Sequence, residues 1–109
     1  MMLSQETITE LLSHRGWTVT NSARELGGSR VMSIRGQFTN GMVMSLQASS
    51  FHYCEPRATA HRYESIEVEI FTKDGEWYTD SPWHTGDQVL GWVDYEQLYA
   101  IIIHVETQP

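Results

Sequence analysis

Cysteine, lysine and long apolar runs are all scarce in this sequence. Its single cysteine, Cys54, cannot form a disulfide within the chain, so the cytoplasm is the default compartment. The longest purely apolar run, residues 100–103, is far too short to span a bilayer. The first residues have no basic or apolar stretch, and we expect no signal peptide and no membrane partner. The absence of a glycine-rich phosphate loop excludes a standard P-loop or dinucleotide site.

Positive charge is scarce as well, and it is unevenly distributed. Residues 1–63 carry six arginines against four acids, a net charge of +2, whereas residues 64–109 carry ten acids against Lys73, a net charge of −9. Because the acidic half would repel phosphates, we do not expect direct nucleic-acid binding. Two uses of the asymmetry stay open: the acidic half imitates nucleic acid toward a basic partner, or the arginines gather around a small anion. A solvated surface that keeps the protein soluble is the simpler explanation.

A single domain with one modest core is expected for 109 residues of which 40% are hydrophobic. Residues 4–14 have helical apolar spacing and predict a short helix. A capping box at residues 7–10 would begin this helix, with Ser4 as the competing N-cap. Residues 17–20 predict a strand or an extended connection, and residues 21–28 predict one helical turn that ends at glycine.

Residues 30–48 predict a β-hairpin around Asn40-Gly41, and its apolar pattern selects the loop length. A two-residue turn would place Ile34 and Leu46 on opposite faces of the hairpin. A three-residue loop that also includes Thr39 places all the apolar residues on one face. Because a one-residue slip moves every side chain to the other face, the pattern favours the longer loop, with glycine in its left-handed position.

The rest of the chain completes an α+β fold. Residues 65–71 predict a strand with inward apolar residues and outward glutamates, which turns into a second hairpin strand at residues 76–79. Residues 80–87 predict a loop and residues 88–93 predict another strand. Asp94 then caps a final helix, although its β-branched run leaves a strand as an alternative. We expect a mostly antiparallel sheet of about five strands with N- and C-terminal helices packed on one face.

Residues 49–63 predict a loop that carries binding chemistry. This loop holds the only cysteine, two histidines, two arginines and three aromatic residues between regular segments. The guanidinium groups of Arg57 and Arg62 would donate paired hydrogen bonds to a phosphate, and the Tyr53 ring would stack on a base. Pairing of these arginines with nearby acids is the alternative.

Trp83 lies in the loop before the last strand, and it is the tryptophan that we expect to be most exposed. An exposed tryptophan in a loop is a typical binding anchor, although packing in the core is the alternative. Cys54 with His52 or His61 is compatible with a thiol nucleophile and its base. The same residues with His84 are compatible with a zinc site, but paired zinc ligands are missing. We therefore predict no catalytic residue, no metal and no cofactor.

Three segments together resemble a group of small proteins from bacteriophages and mobile elements. The segments are a His-Tyr-Cys-x-Pro-Arg string at residues 52–57, the strand at residues 66–69, and Gly91-Trp92-Val93 before a helix. The resemblance covers roughly residues 42–105 and implies a phage or prophage origin. Small acidic accessory proteins from that source often bind and disable a host component, which is association and not chemistry.

We therefore predict a small cytoplasmic, non-enzymatic binding protein, encoded by a phage or mobile element, that inhibits a host component such as a defence protein. The predicted binding residues are His52, Tyr53, Arg57, Arg62 and Trp83. The first alternative is a module that sequesters a phosphorylated small molecule or nucleotide, and the second is a small hydrolase or transferase that uses Cys54 or His52. A homodimer that joins the basic half of one copy to the acidic half of another would also use the charge asymmetry.

Overall fold

The chain forms an antiparallel sheet with one helix from each end of the sequence. The structure is a computed structural model that describes residues 2–21, 24–26 and 29–109. Within these ranges the elements are α1 (Gln5–His14), β1 (Thr18–Asn21), β2 (Arg24–Leu26), β3 (Ser29–Gln37), β4 (Val43–Ala48), β5 (Ile66–Phe71), β6 (Leu90–Val93) and α2 (Tyr95–Glu106). The sheet order is β1-β3-β4-β5-β6, and β2 also pairs with β3. The predicted α+β class is confirmed, and neither described helix is long and apolar enough to cross a membrane.

The core lies between one face of the sheet and both helices. Alternate residues of neighbouring strands are in register, so that Ile34, Leu46, Val68 and Leu90 form one buried row across the sheet. The apolar stripes of the helices belong to the same cluster, with Ile8 and Leu12 from α1 and Leu98, Ile101, Ile102 and Val105 from α2. Each such side chain contributes roughly 1.5–3 kcal/mol when fully buried. We call the opposite side of the sheet the second face.

The β3–β4 hairpin has the predicted three-residue loop. The Phe38 amide donates to the Met42 carbonyl and the Gly41 amide donates to the Phe38 carbonyl, each at 3.0 Å. Ile34 pairs with Leu46 as expected, and Gly41 has a φ of 86°, in the left-handed region that glycine tolerates. The matching of apolar faces therefore predicted this register correctly.

Two local predictions were wrong. Helix α1 begins after Ser4 and not at residues 7–10, because the Ser4 and Thr7 side chains each accept the other's backbone N–H. Arg24–Leu26 is strand β2 instead of part of a helical turn, because the long strand β3 offers it an edge. The other predicted residues of that turn at positions 22, 23, 27 and 28 lie outside the described residues.

The second hairpin forms a turn but not a full strand. Trp77 makes one isolated bridge to Phe71, and the Tyr78 amide donates to the Ile70 carbonyl. Strand β6 pairs with β5 further along, at Ile66 and Val68. The edge of β5 is thus shared between two segments, and the chain leaves the sheet after Tyr78.

The last turn of α2 fastens segments from the first half of the chain. The Arg15 guanidinium donates to both oxygens of the Glu106 carboxylate, at 2.9 and 2.7 Å, and the Trp17 indole N–H donates to the same group at 2.9 Å. The Asn40 amide in the β3–β4 loop donates to the carbonyls of Val105 and Gln108. The two Asn40 contacts supply donors to carbonyls at a helix end, where intrahelical partners are lacking.

Candidate functional site

The loop after β4 folds back over one end of the second face, and Cys54 anchors it. The Cys54 thiol is buried in the main core cluster and donates to the carbonyls of Ser49 and Pro56, with the sulfur 3.2 and 3.4 Å from the oxygens. Burial raises the pKa of this thiol, and the hydrogen bond to Ser49 offsets only part of that effect. A thiolate is therefore disfavoured at Cys54.

Glu67, which the alternation placed outward in water, is covered by this loop and only 8% exposed. Its carboxylate accepts the backbone N–H of Tyr53 and lies 3.9 Å from Nε2 of His52. The Gln47 amide donates both to Glu67 and to the next outward residue, Glu69. Strand periodicity predicts the face of the sheet on which a side chain lies, but not whether another segment of the chain covers that face. Glu67 therefore lies on the predicted face and is nevertheless buried. We call Gln47, His52, Glu67 and Glu69 the carboxylate network.

Burial dominates the electrostatics of the carboxylate network. It raises the pKa of Glu67, while hydrogen bonds from Gln47 and Tyr53 and the charge of Arg57 lower it in part. Burial also raises the pKa of Glu69, the Gln47 amide opposes this, and the charge of Glu67 adds to it. Two carboxyl groups thus share one amide donor in a place where water is restricted.

A serine–histidine turn fixes the ring of His52. The Ser49 hydroxyl lies 2.7 Å from Nδ1 of His52 and accepts the backbone N–H of Phe51. The same turn recurs at Ser81 and His84, where the serine hydroxyl also accepts the amide two residues later. Because the serine hydrogen bond restrains the imidazole, His52 is a rigid support for the loop above the carboxylate network.

An exposed group of two aromatic residues and an arginine lies on top of this support. The rings of Tyr53 and Trp92 have centroids 5.1 Å apart, and the Arg57 guanidinium carbon lies 5.4 Å from the centroid of the Tyr53 ring. Tyr53 is 43% exposed and Trp92 is 55% exposed. We call Tyr53, Arg57 and Trp92 the aromatic patch.

The backbone holds the aromatic patch at a cost. Trp92 has a φ of 51°, in the left-handed region, and its amide donates to the Tyr53 carbonyl at 2.9 Å. A non-glycine residue in that region costs roughly 1–2 kcal/mol. Gly91 is needed beside it, because a Cβ there would come within 2.9 Å of the Tyr53 Cβ. The register between β5 and β6 shifts at this point, so the strain coincides with an irregular sheet edge.

The structure brings together two of the five predicted binding residues, Tyr53 and Arg57, with His52 beneath them. Arg62 lines a separate groove of about 580 Å³ near the start of α1. The prediction that Trp83 is the most exposed tryptophan was wrong, because Trp83 packs half-buried against α2 with its ring 5.6 Å from that of His104, whereas Trp92 is 55% exposed. Trp92 was not among the predicted binding residues, although a glycine inside a strand, at position 91, is a known sign of close approach by another segment.

Cys54 and the histidines do not combine into a metal site. Among the described residues, no group of three or more His, Cys, Asp or Glu side chains is arranged to hold a metal ion. Comparison with family models, curated proteins and solved structures finds no match for this chain. The aromatic patch and the carboxylate network are therefore the features on which a functional assignment rests.

Proposed function

We propose that this chain is a small non-enzymatic binding protein that docks onto a partner protein through the aromatic patch. The observation that carries the proposal is Trp92, which is largely exposed although its backbone is strained. An exposed position with positive φ is ordinarily better served by glycine or asparagine. A large indole at this position costs stability, and partner binding accounts for that cost.

The composition of the aromatic patch supports a protein partner. Tryptophan, tyrosine and arginine are the residues most enriched where a few side chains carry most of the binding energy. The rings of Tyr53 and Trp92 are already in contact, and the cation of Arg57 lies over the tyrosine ring. Few rotamers are lost on binding, so a preorganised patch of this kind favours affinity.

We further propose that the partner is a host component that the chain inhibits, in the cytoplasm of a cell that carries a phage or mobile element. The resemblance of the string at residues 52–57 to small phage proteins supports this source. The net charge of −9 over residues 64–109 supports a partner with a basic surface, because opposite charges speed the encounter.

The substitution Trp92→Asn tests the binding proposal. Asparagine tolerates positive φ, so we expect equal or greater unfolding free energy together with a loss of binding of about 30-fold or more. Proteins that the wild-type chain retains from a host lysate would be identified, purified and titrated by calorimetry. Ile103→Asn is the matched control, because Ile103 is an exposed apolar residue on α2 and not part of the patch. Equal affinity of the wild type and Trp92→Asn for every retained protein would contradict the proposal.

Binding of a phosphorylated small molecule is the second candidate, and the position of the Arg57 cation over the exposed Tyr53 ring favours it. The guanidinium would hold a phosphate while the exposed Trp92 ring stacks on a base. A thermal-shift screen with nucleotides and inorganic phosphate tests this candidate. A shift that Arg57→Ala abolishes and Arg62→Ala retains would support it. The absence of a shift with any anion would exclude it.

A further inference from the structure

The second face of the sheet carries opposite charges on either side of its central strand. Arg35 on β3 pairs in register with Ser45 on β4, which pairs with Glu69 on β5. These three side chains form one row across the face, since paired residues point to the same side. The next row contains Gln37, Val43 and Phe71 in the same order of strands.

These two rows lie beyond the end of the second face that residues 49–56 cover. Arg35 and Gln37 are exposed, and together with Val43 and Phe71 they line a groove of about 310 Å³. Trp77 extends the second row, with its ring centroid 4.7 Å from that of Phe71, and it is also exposed. An apolar stripe thus lies beside a row with separated charges.

The two charges of the first row form no ion pair among the described residues, although the charge of His52 acts on Glu69. The ion pairs among the described residues involve Glu10, Arg15 and His52 with their partners, and not Arg35 or Glu69. Burial raises the pKa of Glu69, and the Gln47 amide is its principal hydrogen-bond partner. A guanidinium placed over Glu69 would therefore gain a charge-assisted contact that the isolated chain lacks.

We propose that a second copy of this chain docks on the second face, around a two-fold axis parallel to β4 over Ser45, and that Arg35 of each copy pairs with Glu69 of the other. Such an axis exchanges β3 with β5 and leaves β4 above β4. Because neighbouring strands are about 4.8 Å apart, Arg35 and Glu69 lie at equal distances from the axis on opposite sides. The row is therefore self-complementary, which is the requirement for an isologous interface.

The second row fits the same operation. Val43 lies on the central strand near the axis but is only 7% exposed, so the second row contributes mainly through Gln37, which is placed over Phe71 of the other copy. Sheets that pack face to face keep their strand directions within about 30° of each other and lie about 10 Å apart, a distance that arginine and aromatic side chains can fill. The alternative axis, perpendicular to the strands, would place Arg35 against Arg35 and is excluded by repulsion.

Self-association through this face is expected to be weak. Within the two rows only Arg35 and Gln37 are exposed and Val43 is buried, so the contact is smaller than the roughly 800 Å² per partner of a standard interface. Each copy also has a net charge of −7, which opposes their encounter at low salt. We therefore expect a reversible dimer that forms at high concentration and not an obligate one.

Sedimentation velocity from about 10 µM to about 1 mM protein tests the proposal. We expect the wild-type chain to dimerise reversibly, and Arg35→Glu and Glu69→Arg each to weaken the dimer by about 30-fold or more, because each places like charges together. Arg62→Glu makes the same change of charge outside the second face, and we expect it to leave the dimer intact.

Charge exchange makes the test independent of folding defects. An equimolar mixture of Arg35→Glu and Glu69→Arg restores both ion pairs in a heterodimer, and the double variant restores them in a homodimer. Recovery of dimer in both samples supports the proposal. A monomeric wild type at every concentration overturns it, as does a dimer that the single substitutions leave unchanged or that charge exchange does not restore. None of these substitutions changes the aromatic patch, so failure here leaves the binding function to its own test.

Discussion

Glu67 carries its carboxylate at a place in the fold where water is largely excluded. Burial raises its pKa above the ordinary value of 4.5, and the contacts from Gln47, Tyr53 and the charge of Arg57 offset only part of this. Between that value and the raised one, the folded chain binds more protons than the unfolded chain. Stability therefore falls as the pH rises through the raised pKa, which is the reverse of the usual carboxylate behaviour.

The substitution Glu67→Gln tests this electrostatic cost. We expect the variant to be about as stable as the wild type near pH 4 and more stable at pH 7, because glutamine keeps an acceptor for the Tyr53 amide without the buried charge. Urea unfolding at both pH values measures the difference. Glu64→Gln, the same substitution at an exposed neighbouring position, is the matched control. If the difference in unfolding free energy between Glu67→Gln and the wild type does not grow with pH, the carboxylate network fully compensates the buried charge.

Gly91→Ala probes the contact that holds the aromatic patch in place. The new Cβ would meet the Tyr53 Cβ at 2.9 Å, so we expect a loss of unfolding free energy of about 1–3 kcal/mol. Tyr53→Gly removes the Cβ that the new methyl group would contact. The loss of unfolding free energy caused by Gly91→Ala should therefore disappear in the double variant. A double-mutant cycle by urea unfolding measures this coupling. If the effects of Gly91→Ala and Tyr53→Gly are purely additive, the contact with Tyr53 is not the reason that position 91 needs glycine.

At the scale of elements, the β3–β4 loop does more than reverse the chain. The side chain of Asn40 accepts the Met42 amide and donates to two carbonyls at the end of α2. One amide thus sets the loop and attaches the hairpin to the helix. The second contact cannot be predicted from the sequence, because the helix end lies 65 residues further along the chain.

Asn40→Asp should be more destabilising than Asn40→Ala. The aspartate keeps the acceptor for Met42 but turns a carboxylate toward the carbonyls of Val105 and Gln108, at the negative end of a helix dipole. We expect Asn40→Ala to cost about 1–2 kcal/mol and Asn40→Asp more than that. Thermal and urea unfolding of the two variants compare them directly. If Asn40→Asp were the more stable of the two, a contact with the helix end in solution would be excluded.

For the whole molecule, local patterns predicted the fold better than the site. Alternation and turn chemistry predicted the β3–β4 register, and helical spacing predicted the stripe of α2, because both depend on neighbours in sequence. The aromatic patch depends on Tyr53 meeting Gly91 and Trp92 across 38 residues, and on a left-handed backbone that no local pattern marks. The covering of Glu67 is non-local in the same way.

Glu106 gives the whole molecule an acid-sensitive clasp. Burial alone would raise its pKa, but hydrogen bonds from Arg15 and Trp17 and the charge of Arg15 lower it below the ordinary 4.5. Its contribution to stability is present above pH 4.5 and is lost as the pH falls through the lowered value. The stability contributions of Glu106 and Glu67 thus change in opposite directions with pH. The protein should be most stable at a pH between the lowered pKa of Glu106 and the raised pKa of Glu67.

Glu106→Gln should cost about 1–2 kcal/mol at pH 7 and progressively less as the pH falls below 4.5 and through the lowered pKa of Glu106, where the wild-type carboxylate gains a proton. Urea unfolding over this range measures the convergence of the two curves. Glu96→Gln, at an exposed position at the start of α2, is the matched control. A constant difference between wild type and Glu106→Gln would assign the effect to shape and not to charge.

The contacts of Glu106 also constrain when the chain is able to fold during its synthesis. Arg15 and Trp17 find their partner 91 and 89 positions later in the chain. When only the first hundred residues have left the ribosome, the core face of the sheet is exposed, because α2 is not yet complete. Apolar strands are then open to wrong pairings until α2 emerges, so the core of this protein closes only after α2 has left the ribosome.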